Sequence, residues 1–186
     1  MLSSPVLKTE RLVLRPVATR DAPNIQKLAG DFKVARNTLS MPYPYPDGAA
    51  ESFVAWARDE LLAGEAFTFG IILNDELIGC IGLHLQPQHK HAEMGYWLGV
   101  PYWGQGYASE AARTMMEFGF EMLDLNRIYA AHFTRNPASG RVMQKIGMRY
   151  EGTLRQHYFR FDEFHDTAYY AILREDYTAG KNKLAP

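Results

Sequence analysis

Between residues 108 and 123 the apolar side chains Ala108, Ala111, Ala112, Met115, Met116 and Leu123 recur at the three- and four-residue spacing of a helix buried along one face. That spacing predicts a helix from just after Gly106 to about Leu123. Upstream the pattern changes: residues 66–73 and 76–85 are short apolar runs joined at Asn74-Asp75, a tight hairpin pair, and residues 92–100 form a third extended run. Residues 12–17, 127–133, 149–159 and 165–173 read as strands too. Further helices are predicted at 21–29 with Pro23 in the first turn, at 50–63, and at 137–146, where Gly147 supplies a left-handed cap. The order predicts a mixed α/β fold: a central, mostly antiparallel sheet of about seven strands flanked by helices, with a strand–helix–strand unit in the middle.

No repeat, low-complexity tract or Gly/Ser linker divides the 186 residues, so a single domain over 1–186 is expected. The main irregularity is "TLSMPYPYPDG", residues 38–48. Its prolines forbid a regular helix or a central strand, while Met41, Tyr43 and Tyr45 give it apolar bulk. It reads as an ordered loop able to shape a pocket.

Twenty Lys and Arg against twenty-one Asp and Glu leave a net charge of -1, so no bulk field draws the chain to nucleic acid or an anionic membrane. The one cysteine, Cys80, lies in an apolar run and fits a reducing compartment as a packed side chain. The first twelve residues lack the basic start and apolar centre of a secretory signal, and no run approaches the roughly 20 residues of a membrane span. A cytoplasmic location is expected.

The helix after Gly106 has a bare threshold, with Gly104 and Gly106 bracketing one residue. A helix start offers unpaired N–H groups and the positive end of a dipole, so a glycine-rich entry lets a phosphate approach those donors directly. A tight strand-to-helix turn is the plainer reading of the same glycines. No Gly-Lys-Ser/Thr triplet makes this a Walker loop, and Ser109 stands where a dinucleotide fingerprint needs its third glycine.

The stretch resembles the acetyl-coenzyme A loop of the GNAT superfamily of N-acetyltransferases, Arg/Gln-x-x-Gly-x-Gly/Ala, with Trp103 where Arg or Gln is usual. "EMGYWLGVP" before it, "NPASGRVMQKIGM" and "EGTLR" after it, and the opening "LKTERLVLRP" are similar to the ribosomal-protein N-terminal acetyltransferase branch, from about Leu7 to Tyr177. The resemblance implies a GNAT fold whose sheet is splayed in the middle for acetyl-CoA, and no metal. It places the pantetheine arm on the backbone of Trp97, Leu98, Gly99 and Val100, and the pyrophosphate on the loop Trp103, Gly104, Gln105, Gly106, Tyr107 and Ala108. Asn136 would bond the pantetheine arm; as the residue before Pro137 it also suits a helix N-cap.

Many superfamily members protonate the leaving thiolate with a tyrosine, but the matching position here is Met143. Ser139 is implied to contact the sulfur; a small residue in the first helical turn is its other reading. Strand alternation puts Glu93, Gly95 and Trp97 on one side and Met94, Tyr96 and Leu98 on the other, so Glu93 can face a cleft and drain the amine's proton as a base. An exposed strand glutamate would look the same. His84, His91 and His132 also lie on or beside strands, and Glu110 favours the helix dipole in the first turn.

The expected activity is transfer of an acetyl group from acetyl-CoA to a primary amine by direct attack in a ternary complex. A peptide or protein N-terminus, a small amine (polyamine, aminoglycoside or amino-acid analogue), and a noncatalytic acyl-CoA module are the readings to separate. Monomer and homodimer stay open.

Overall fold

The computed structural model describes residues 5–182. The start of the stretch read as lacking a leader, residues 1–4, lies outside them. In chain order the elements are β1 (Leu7–Lys8), β2 (Val13–Pro16), α1 (Ala22–Ala29), α2 (Phe32–Ala35), α3 (Ala49–Ala63), β3 (Ala66–Leu73), β4 (Glu76–Gln86) and β5 (His91–Leu98). Then come α4 (Tyr107–Glu121), β6 (Arg127–Phe133), α5 (Pro137–Lys145), β7 (Arg149–Arg160), β8 (Glu163–Leu173) and α6 (Arg174–Asn182). Asn74 and Asp75 both adopt left-handed φ, 49° and 67°, closing the β3–β4 hairpin as their side chains allow. Gly147 is left-handed at φ 91° after α5.

The sheet has eight strands in the order β1-β2-β3-β4-β5-β6-β8-β7, one more than the pattern predicts. The extra strand, β1, is two residues long, too short to show an alternation. Every neighbouring pair is antiparallel except β5 and β6. That parallel pair holds register only at His91↔Arg127, Ala92↔Ile128 and Glu93↔Tyr129. Beyond it, β5 continues to Leu98 on β4 alone and β6 continues to Phe133 on β8 alone. The sheet therefore opens in its middle. β5 also stops two residues short of the predicted Val100, because Val100–Tyr102 curls into a 3-10 turn around Pro101.

Each face of the sheet buries its own cluster. Leu14, Phe69, Leu83, Met94, Ala111, Met115, Phe118 and Ile128 fill the space beneath α4. Val17, Ile25, Ala29, Val54, Ala57 and Cys80 fill the space beneath α1 and α3. Among the described residues no helix is long and apolar enough to cross a membrane.

The turn into α1 is held by an ion pair. Arg15 donates from Nη1 and Nη2 to Asp21 at 2.7 and 2.8 Å, and the Ala18 N–H donates to the same carboxylate at 2.8 Å. Burial alone would raise the pKa of Asp21, but these bonds outweigh it and hold it below the ordinary aspartate value. Its stabilisation is complete above the ordinary aspartate range and is lost as pH falls through the depressed folded value. Asp21→Asn should cost about 3 kcal/mol at neutral pH, since Arg15 is left without its counter-charge. Urea unfolding should show the difference from wild type shrinking below about pH 4; a pH-independent difference would mean that shape, not charge, holds the turn.

Candidate functional site

The splay and the turn after it build the first half of the site. The Gly99 N–H donates to the Ile78 C=O at 2.9 Å, which fixes the phase of the β4–β5 ladder. By alternation the main-chain groups of Met94, Tyr96 and Leu98 then point away from β4, into the gap. The Leu98 C=O is already engaged there: the Trp103 indole N–H donates to it at 2.7 Å. The Gly99 and Val100 carbonyls accept the N–H groups of Tyr102 and Trp103. Of the four residues expected to carry the pantetheine arm, Leu98 is the one whose backbone faces the gap, and Tyr96 joins it.

Gly104 and Gly106 have φ of 75° and 85°, a region that side chains with a Cβ rarely adopt. A Cβ on Gly104 would meet nothing within 4 Å, so that glycine serves conformation and leaves its surface bare. Gly106 is the N-cap of the fifteen-residue α4, and no side chain caps the helix. Donors, bareness and dipole coincide at one spot, which suits an anionic diphosphate.

At the head of α5, Asn136 occupies the N-cap position but its amide makes no cap bond, so it is free for a ligand. Ser139, one turn in, pairs with a residue that the sequence did not single out. The Tyr96 hydroxyl donates to the Ser139 C=O at 3.0 Å and lies 2.9 Å from its Oγ. Burial drives the Tyr96 pKa up to about 12, with the bond to Ser139 opposing only in part. Met143 is fully buried in the core and brings no proton to the gap.

The second half lies on the other face. Met94 and Leu98 belong to the cluster beneath α4, whereas Trp97 packs against the cluster beneath α1 and α3. Glu93 and Gly95 share the Trp97 face by alternation, as predicted. Glu93 is exposed, with the Tyr129 hydroxyl 3.5 Å from its Oε2 and His84 directly opposite on β4. Gly95 faces Gly82 across the ladder, and a Cβ on Gly95 would meet nothing within 4 Å. Glu93 thus stands at the edge of a bare floor. Tyr129 and Tyr169 are both pushed above the ordinary phenol value, chiefly by burial and then by neighbours that include Glu93 and Tyr158. Tyr129 thus stays a neutral donor to that carboxylate, with Tyr169 a neutral neighbour.

Among the histidines, His84 stacks on Trp56 and His132 stacks on Tyr170 on the α5 side, away from Glu93. His91 shares the Glu93 face, and burial, His89 and Arg127 lower its pKa. Glu110 does more than favour the dipole: it accepts Thr9 Oγ1 at 2.5 Å, the Arg11 N–H at 2.8 Å and Arg11 Nε at 2.7 Å. Burial would raise its pKa, and those bonds outweigh it. No cluster of His, Cys, Asp and Glu able to hold a metal ion occurs among the described residues.

The loop at 38–48 does not bring Met41, Tyr43 and Tyr45 together on one wall. Met41 and Tyr45 pack inward on the α1–α3 cluster, while Tyr43 is exposed and leans on Phe32 with ring centroids 4.8 Å apart. The far half of the sheet holds the loop in place. Arg160, at the end of β7, donates to the carbonyls of Thr38 at 2.9 Å, Leu39, and Met41 at 2.6 Å, and Arg135 donates to the Arg36 C=O. The loop therefore ties α2 to the β7–β8 hairpin beside the gap.

A sheet opened between two parallel strands, with a phosphate-ready helix start on one side and a carboxylate on the other, defines an acyl-coenzyme A-dependent transferase. The family model of the acetyltransferase (GNAT) domain matches residues 11–149. The chain is 34% identical over 178 residues to the uncharacterized N-acetyltransferase YoaA of Bacillus subtilis, covering 91% of this chain and 97% of that one. It is 36% identical over 109 residues to the ribosomal-protein-serine acetyltransferase of Escherichia coli, covering 58% and 61%. The solved structure of the ribosomal L7/L12 alpha-N-protein acetyltransferase RimL in complex with coenzyme A superposes with a TM-score of 0.85, covering 91% of this chain and 98% of that one at 21% identity. The protein belongs to the GNAT family of N-acetyltransferases.

If Arg160 holds the acceptor-side loop, Arg160→Ala should raise the Michaelis constant for the amine several-fold while leaving the dissociation constant for coenzyme A within about twofold, because loop-ordering cost is added to one substrate only. Steady-state kinetics with calorimetry separates the two. A shift confined to coenzyme A would put the loop against the cofactor.

Proposed function

We propose that this acetyltransferase acts on the N-terminal α-amine of a peptide or protein, with acetyl-CoA as cosubstrate, by direct attack in a ternary complex. The observation that carries the reading is Glu93: an exposed carboxylate beside the bare floor at Gly95, which is itself exposed and where a Cβ would meet nothing within 4 Å. Such a floor can take a main chain lying across it, and the similarity to a ribosomal-protein-serine acetyltransferase points the same way. A small amine is the second reading, favoured by the loop that Arg160 tethers over this side.

The chemistry asks little of the base when the acceptor is an α-amine. With a pKa near 7.7–8.0, about a tenth to a fifth of it is neutral at pH 7, whereas a lysine-like amine near 10.4 is neutral at well below one part in a thousand. As the C–N bond forms and the C–S bond breaks, Glu93 accepts the amine's proton directly or through water. On the other face, Tyr96 and Ser139 sit where the thiolate departs. A phenol near 12 facing a thiol near 8.5 would give up its proton uphill by about 5 kcal/mol. The pair therefore steadies the thiolate by hydrogen bonding and does not protonate it outright.

Thiol release from acetyl-CoA with a panel of short peptides, polyamines and aminoglycosides tests the acceptor class; activity confined to polyamines or aminoglycosides would overturn the peptide reading. Glu93→Gln should lower turnover about 10²-fold with a peptide amine, keep coenzyme A affinity, and recover in part as pH rises and solvent supplies more neutral amine. A rate within about threefold of wild type at pH 7 would make Glu93 structural.

A further inference from the structure

We propose that Arg11 charges the phosphate cradle from behind, acting through the Gln105–Gly106 peptide; this rests on the reading of residues 105–108 as the diphosphate site. Arg11 lies in the turn between β1 and β2, some 94 residues from the loop it touches. Its Nη1 donates to the Gln105 C=O at 3.1 Å, its Nη2 stands 3.3 Å from where a Cβ on Gly106 would be, and its guanidinium lies over the Tyr107 ring at 4.6 Å. Three consecutive cradle residues thus rest against one cation.

The peptide plane gives this contact its consequence. The described chain has its one cis bond at Tyr43–Pro44, so the Gln105–Gly106 peptide is trans, with C=O and N–H pointing in opposite directions. A guanidinium on the carbonyl fixes the plane so that the Gly106 N–H faces away from Arg11, toward the site. It also polarises the amide, since a bond to one end of a peptide strengthens the donor at the other. Family members usually carry Arg or Gln at the loop position that Trp103 takes, and Trp103 is spent on the Leu98 carbonyl. The cationic contact at this loop comes from the opposite end of the chain.

Glu110 completes the device. Its carboxylate pairs with Arg11 Nη2 at 2.6 Å, and it also accepts Thr9 Oγ1 at 2.5 Å. It holds the guanidinium in place, and without Arg11 it would leave an uncompensated negative charge in the first turn of α4, against an incoming phosphate. Arg11 is therefore a positioning residue, and its loss should be felt in phosphate binding and not in acyl transfer itself.

The test combines affinity, an amide signal and a truncated substrate. Arg11→Gln should weaken coenzyme A about tenfold by calorimetry and move the Gly106 amide proton upfield in the ligand-free protein. It should leave turnover of S-acetyl-pantetheine, which lacks the diphosphate, unchanged. The inference fails if Arg11→Gln binds coenzyme A as wild type does, or if the Gly106 amide does not move. If wild type shows no preference for acetyl-CoA over S-acetyl-pantetheine, the diphosphate reading of the loop fails with it; a preference that survives Arg11→Gln removes Arg11 alone.

Discussion

Two parallel strands pair for three residues and then part, and the site depends on that parting. From Met94 and from Ala130 onward, β5 and β6 keep their outer partners and lose each other. Backbone donors and acceptors that a closed sheet would satisfy are left facing a gap, and an unpaired buried amide is costly. A ligand with amides of its own can supply the missing ladder, which is the part proposed for the pantetheine arm. The Trp103 indole on the Leu98 carbonyl shows the same demand met from within the chain.

The gap also joins two faces with separate tasks. Beneath it lies the uncapped start of α4, where each charge-assisted bond to a phosphate would be worth roughly 1.5–3 kcal/mol against the 0.3–1 kcal/mol of a helix dipole. The aimed N–H groups, and what orients them, therefore matter more than the dipole. Above it, Glu93 stands among neutral phenols beside two facing glycines. Cofactor and acceptor can approach from opposite sides of one sheet and meet only where it is open.

Local chemistry was legible where neighbours in sequence are neighbours in space. The 3.6-residue spacing located α4, Asn74-Asp75 located the hairpin, and the bare threshold located the glycine turn at the head of α4. Alternation placed Glu93 on the face opposite Tyr96. It also hid Tyr96, which reads as one more inward apolar residue until α5 brings Ser139 to its hydroxyl. Arg11 and Arg160 were invisible for the same reason, since their partners lie about a hundred residues away and no periodicity records a tertiary contact. Tyr43 and Tyr45 look equivalent in "PYPYP", yet one packs inward and the other faces out, a choice made by α1 and α3.

The account's central claim is that the open sheet and the start of α4 together receive coenzyme A. Amide hydrogen exchange on the protein with and without coenzyme A tests it most directly. Slowed exchange confined to Tyr96, Leu98 and residues 105–108, with the β3–β4 hairpin unchanged, is the predicted result. Protection elsewhere, with those amides exchanging as before, would contradict it.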